Sequence, residues 1–173
     1  DAGVHALGQV VAFLTDSSHP VDTFLKGLNY YLPEDIAVQE AYQVHEAFDP
    51  QRDASSRVYQ YTLVNKAAPS PLLIQFAHRV AQPLDEEAMS KTSHLLVGRH
   101  DFAAFCGDLP NGRSTIRKVY RVEMIRREEN VLVMEIEANA FLPQQVRRTV
   151  GALVKVGCHL ASVEEFENLV TQA

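Results

Sequence analysis

Residues 115–138, TIRKVYRVEMIRREENVLVMEIEA, restrict the possible folds more than any other stretch of the chain. Ile116, Val119 and Val122 carry apolar side chains at alternating positions, with one slip, and VLVMEIEA returns after the polar REEN. A period of two puts such side chains on one face of a strand. Two arms of this kind around a short polar break predict a β-hairpin, and hence an antiparallel sheet.

The remaining segments are read around that hairpin. SRVYQYTLVN alternates cleanly, with Tyr59, Tyr61 and Leu63 on one face and Val58, Gln60, Thr62 and Val64 on the other, and predicts a strand. GQVVAFLTD and IAVQEAYQV predict two more strands, and LLIQFAHRV a strand or extended piece. VDTFLKGLNYYLP places Val21, Phe24, Leu25 and Leu28 at helical spacing and is stopped by Pro33. LDEEAMSKTSHLLVG predicts a helix with acids in its first turn and Gly98 at its end. FLPQQVRRTVGALVKVG predicts another, with Pro143 in the first turn. SVEEFENLVTQA predicts a last helix, capped by Ser162 with Glu165 three residues on. FDPQRDASS, KAAPSP and HDFAAFCGDLPNGRS read as loops or irregular structure. The fold class expected is α+β, a mostly antiparallel sheet flanked by helices.

Composition narrows the function classes. With 46% hydrophobic and 22% charged residues, the chain is an ordinary globular one. No apolar stretch approaches the ~20 residues of a membrane helix, so no membrane partner is expected, and the low cysteine usage makes a reducing, cytoplasmic setting the expectation. Two cysteines, Cys106 and Cys158, are too few for a disulfide framework. The seven histidines form no HxxxH or HxH spacing, and no metal site is expected. Ser55 and Ser56 lie in no nucleophile-elbow context. A net charge of −6 argues weakly against nucleic acid, yet Arg113, Arg117, Lys118, Arg121, Arg126 and Arg127 crowd one segment. An acidic protein can carry one basic cleft.

Three places could carry chemistry: Asp1 with Gly3 and His5, the strand Arg57-x-Tyr59-x-Tyr61, and Asn139-Ala140-Phe141-Leu142 leading into Val146-Arg147-Arg148. Each has a bland reading. An acid beside glycine is usually a turn residue, a strand tyrosine usually packs, and a helix arginine is usually a surface charge. Taken together and in order, DAGVHALGQVVAF, LNYYLPEDI, RVYQY, LLVGRHDFAAF, TIRKV and ANAFLPQQVRRTVGALVKVG resemble the tRNA pseudouridine synthase A family over nearly the whole chain.

The resemblance implies a pseudouridine synthase fold made of two ferredoxin-like halves. Residues 1–50 would be the remainder of the N-terminal half and 51–173 the C-terminal catalytic half. It further implies that Gly-Arg-Thr and a first strand and helix precede Asp1, and that a closing strand follows the last helix. The reaction implied detaches uracil from C1′, rotates it and rejoins it through C5, without a cofactor. Asp1 matches the family's catalytic carboxylate, Arg147 the arginine paired with it, and Tyr59 the active-site tyrosine. Arginine suits that pairing because it stays charged and grips a carboxylate in two places. Arg52, Arg57 and the basic hairpin with Arg117 are expected phosphate contacts, His5, Tyr61 and Arg148 further RNA contacts, and Phe141 a wall of the pocket. For Tyr61 packing is the stronger expectation, and for His5 buried hydrogen bonding is equally plain. The partners implied are the tRNA anticodon stem-loop and a second copy of the chain in a homodimer. Two alternatives stay open: a non-catalytic RNA-binding fragment, and a synthase of the same fold acting on another RNA.

Overall fold

The computed structural model describes residues 3–108 and 112–171. They divide into two units. One comprises Ala6–Ala54; the other joins the N-terminal residues to Ser55 onward.

The smaller unit contains one helix, α1 (Val21–Tyr31), where the spacing predicted it. Asn29 clasps the following segment: its side-chain amide donates to the Val38 carbonyl at 2.9 Å, and its Oδ1 accepts from the Val38 N–H at 2.7 Å. Two expectations fail in this unit. Gly8–Asp16 and Ile36–Val44 are not strands. Alternation selects which face a strand would bury, but a strand also needs a neighbour to take its N–H and C=O groups. Among the described residues neither segment has one.

The larger unit is built on a five-stranded sheet: β1 (Arg57–Asn65), β2 (His78–Val80), β3 (Gly98–Asp101), β4 (Ile116–Glu128) and β5 (Val131–Ala138). Their order is β2-β1-β5-β4-β3. Only β1–β2 is parallel; the other three pairs are antiparallel, as expected of the class. The hairpin β4–β5 forms as its pattern requires, and the slip in the alternation is a register shift between Val119 and Arg121. Such a bulge sets two residues against one and lets the apolar period resume on the same face.

Register fixes the two faces. Tyr59, Tyr61 and Leu63 pair with Ile136, Met134 and Leu132, and this face meets the helices. These are α2 (Glu86–Ser93), α3 (Gln145–Gly157) and α4 (Val163–Thr171). Leu63, Met134, Ile136, Met89, Leu153 and Phe166 form one core between sheet and helices. Each such side chain contributes about 1.5–3 kcal/mol by leaving water. The opposite face carries Gln60, Glu135, Arg121 and Glu137.

Three boundaries differ from the sequence reading. α2 ends at Ser93 and tightens into a 3-10 turn, so Gly98 does not close it but opens β3 with φ +122°. LLIQFAHRV is a run of turns, with only His78–Val80 reaching the sheet. α3 starts after Pro143, because Gln144 takes a left-handed conformation as its N-cap. α4 follows the predicted capping box: Ser162 Oγ accepts from the Glu165 N–H at 3.0 Å, and Glu165 Oε2 accepts from the Ser162 N–H at 2.7 Å.

Candidate active site

The N-terminal end of β1, the C-terminal end of β5 and the start of α3 meet at one end of the sheet. Antiparallel pairing of Arg57 with Ala138 and Tyr59 with Ile136 brings them there. Beyond Ala138 the chain leaves the sheet, and Asn139 holds its departure. The Asn139 N–H donates to the Lys118 carbonyl at 3.0 Å, and its Oδ1 accepts from the Lys118 N–H at 2.9 Å. Its own carbonyl accepts from Arg57 Nη1 at 2.8 Å. One asparagine thus ties β1 and β4 to the segment that follows.

That segment places Phe141 edge-on against Tyr59, with centroids 5.0 Å apart and planes at 80°. Edge-to-face packing is a favoured aromatic geometry and restricts the phenol ring. Tyr59 remains 41% exposed, so one part of the ring is held and the rest is open to a ligand. Leu142 is buried beneath, its N–H donating to Gln145 Oε1 at 2.8 Å. Gln145 itself is buried, and its Nε2 has no partner among the described residues. The side chain therefore acts as a bracket between the loop and α3, a role with no signal in the motif reading.

The adjacent arginines differ, as residues about 100° apart on a helix must. Arg148 Nη1 reaches the Cys106 carbonyl, and Gly107 N–H donates to the Pro143 carbonyl at 2.8 Å. Arg148 thus pins the segment after Phe105 to the start of α3. Arg147 is exposed and makes no hydrogen bond or ion pair among the described residues. Its guanidinium is available to an anion.

The other expected contacts are dispersed. Tyr61 is half-buried and packs against the core. Arg117 is half-buried and turns its Nη1 back to the Ser114 and Ile116 carbonyls, at 2.8 and 2.7 Å. The His5 ring lies 4.7 Å from that of Phe76. Arg52 belongs to the smaller unit, where its Nε is 3.4 Å from Asp49 Oδ2. Backbone N–H groups of Arg52 and Gln51 hold the Asp49 carboxyl below its ordinary range. Asp1 lies outside the described residues.

Comparison with known proteins gives this end of the sheet a lineage. A family model described as tRNA pseudouridine synthase matches residues 93–173, which include β4, β5, the Phe141 loop and α3. A tRNA pseudouridine synthase A from a Geobacter species is 39% identical over 170 residues, covering 98% of this chain and 68% of the relative. The chain belongs to the tRNA pseudouridine synthase A family. Proteins of the same name from Pelobacter propionicus and a Roseiflexus species are 40% and 41% identical, each over 91% of this chain. The chain spans 64% and 59% of their lengths. Pseudouridine synthases are isomerases, and the mixed, mostly antiparallel sheet with its flanking helices is the α+β architecture expected of the family. No helix among the described residues is long and apolar enough to cross a membrane.

Proposed function

We propose that this chain is the greater part of an enzyme that isomerises uridine to pseudouridine in the anticodon stem-loop of tRNA. The supporting observation is the half-open Tyr59 ring, braced by Phe141 beside a helix whose Arg147 guanidinium is exposed. The reaction breaks the C1′–N1 bond, turns the base and forms C1′–C5; the C5 proton leaves and N1 gains one. In this reading Asp1 supplies the carboxylate, either as nucleophile at C1′ or C6 or as the base that yields a glycal. Arg147 keeps that carboxylate ionised in a closed cleft, where burial alone would raise its pKa. Tyr59 stacks on the extruded uracil, and its hydroxyl serves in the final deprotonation at C5, passing its own proton on to water as the C5 proton arrives.

The reading includes a homodimer in the cytoplasm, a reaction without cofactor, and a C-terminal catalytic half formed by residues 51–173. Arg52 and Arg57 are proposed phosphate contacts, and His5 an RNA contact near the loop that bears Phe76. Extruding the uridine costs a few kcal/mol, which these contacts offset.

The test is tritium release from tRNA labelled at uridine C5. In the full-length protein, Asp1→Asn lowers the rate at least about 10³-fold while tRNA affinity is kept. Release at the wild-type rate would falsify the assignment of Asp1. Affinity without release in the wild type favours the binding module instead.

A further inference from the structure

The charges on the sheet are neutralised unevenly. In mid-sheet, Arg121 lies 3.0 Å from Glu123, 2.5 Å from Glu135 and 3.8 Å from Glu137, and Arg126 pairs with Glu86. At the β3 edge the pattern reverses. Arg99 stands directly opposite Lys118 in register, and both are exposed. Neither forms an ion pair among the described residues. Asp101, the acid on β3, already accepts the Ala103 N–H at 2.9 Å. Like charges set directly opposite destabilise a sheet. Folding alone gives no reason for this pair; an anion arriving there would.

A ring lies beside the pair. Tyr120 is 42% exposed, and the Lys118 Nζ sits 5.4 Å from its centroid. Unlike Tyr59, it has no aromatic partner among the described residues. The patch is also joined to the candidate active site. Asn139, which clamps the Lys118 backbone through two hydrogen bonds, accepts from Arg57 with its carbonyl. Arg57 stands in register with Ala138, Val119 and Gly98, so Lys118 and Arg99 lie one residue off that row and project from the sheet face opposite Tyr59, at the same end of the sheet.

We propose that Arg99, Lys118 and Tyr120 form an RNA-binding track at the β3 edge, on the sheet face opposite the Tyr59 pocket. Arg99 and Lys118 take backbone phosphates, and Tyr120 stacks on an unpaired base next to them. Cations spaced beside an open ring suit single-stranded RNA, since phosphate neutralisation and base stacking are its two sources of affinity. The inference rests on the RNA-modifying reading above and names where flanking nucleotides go.

The experiment measures binding of a fluorescently labelled anticodon stem-loop RNA to the full-length protein across a salt series, with pseudouridine formation measured in parallel. Removing both charges in Arg99→Gln/Lys118→Gln lowers the slope of log affinity against log salt by about 1.4–1.8. Lys91→Gln removes a charge that α2 already pairs with Glu87, and the slope stays as in wild type. Tyr120→Ala weakens binding roughly 5- to 100-fold and Tyr120→Phe restores it, because the ring and not the hydroxyl does the stacking. Either single variant, Arg99→Gln or Lys118→Gln, gives about half the slope change should the double variant fold poorly. If the wild type neither binds nor isomerises RNA, the proposed function falls and the track with it. If it does both and the double variant keeps its slope, the track is wrong and the function stands. Aggregation of the double variant with an unchanged slope would mean that the charges only guard a sheet edge. Equal competition by poly-glutamate, undiminished in Tyr120→Ala, would assign the patch to an acidic protein segment instead.

Discussion

Tyr59 separates two contributions that one aromatic side chain can make. Its ring is braced by Phe141, and its hydroxyl is the group proposed for proton transfer. Tyr59→Phe keeps the ring pair and removes the hydroxyl. The expected result is an unchanged melting temperature, an unchanged KM and a kcat about 10²- to 10⁴-fold lower, read from single-turnover assays. Phe141→Ala does the opposite. It leaves the hydroxyl but frees the ring, so KM rises and kcat falls together, by roughly tenfold for each 1.4 kcal/mol of lost orientation. Equal behaviour of the two variants would mean that the ring pair is only packing. Gln145 belongs to the same scale. Gln145→Leu leaves the Leu142 N–H without its acceptor inside the protein, a loss of about 1–3 kcal/mol detectable by chemical denaturation.

At the scale of elements, α3 carries both arginines and depends on its buried face for position. Leu153, fully buried, anchors the middle of the helix against the sheet. Leu153→Ala opens a cavity and costs about 2–5 kcal/mol, seen as a lower denaturation midpoint with little change in slope. Elements of this kind were legible in the sequence because their signals are local and redundant. α3 and α4 have helical periodicity with a cap or a start signal; β4 and β5 have period two and a polar turn between them. The strand β3 was not legible, since four residues hold too little alternation to register, and β2 was legible only as the end of a longer expected extended piece. Gly8–Asp16 and Ile36–Val44 failed in the opposite way: a readable period with no partner strand to use it. The candidate site divides along the same line. Tyr59, Phe141 and Arg147 stand in motifs that the sequence displays in order. The Asn139 clamp, the Gln145 bracket and the turn of Arg148 toward Cys106 were not legible, because each joins segments far apart in the chain.

At the scale of the whole molecule, the sheet face opposite the helices holds a carboxylate, Glu135, whose contribution to stability is lost in acid. Hydrogen bonds from Gln60 and Arg121 hold the Glu135 carboxyl below its ordinary range, with the nearby charges of Arg121 and Arg127 acting in the same direction. The unfolded chain has no such donors, so its carboxyl titrates near 4.3. A group whose folded value is depressed stabilises the fold above the unfolded value, where both states are ionised. As pH falls through the unfolded and then the folded value, that contribution disappears, because protons bind the unfolded chain first. Glu135→Gln keeps the shape and an acceptor oxygen but removes the charge. Melting temperatures of wild type and variant should therefore lie apart at pH 7 and converge below about pH 4, as the wild-type carboxyl is neutralised. Salt should narrow the gap at pH 7 only in part, since Glu135 is 14% exposed on its side chain while Arg121 is 40% exposed. A constant gap from pH 7 to pH 3 would mean that the charge is not what Glu135 contributes, leaving its hydrogen bonds across β1, β5 and β4 as the whole effect.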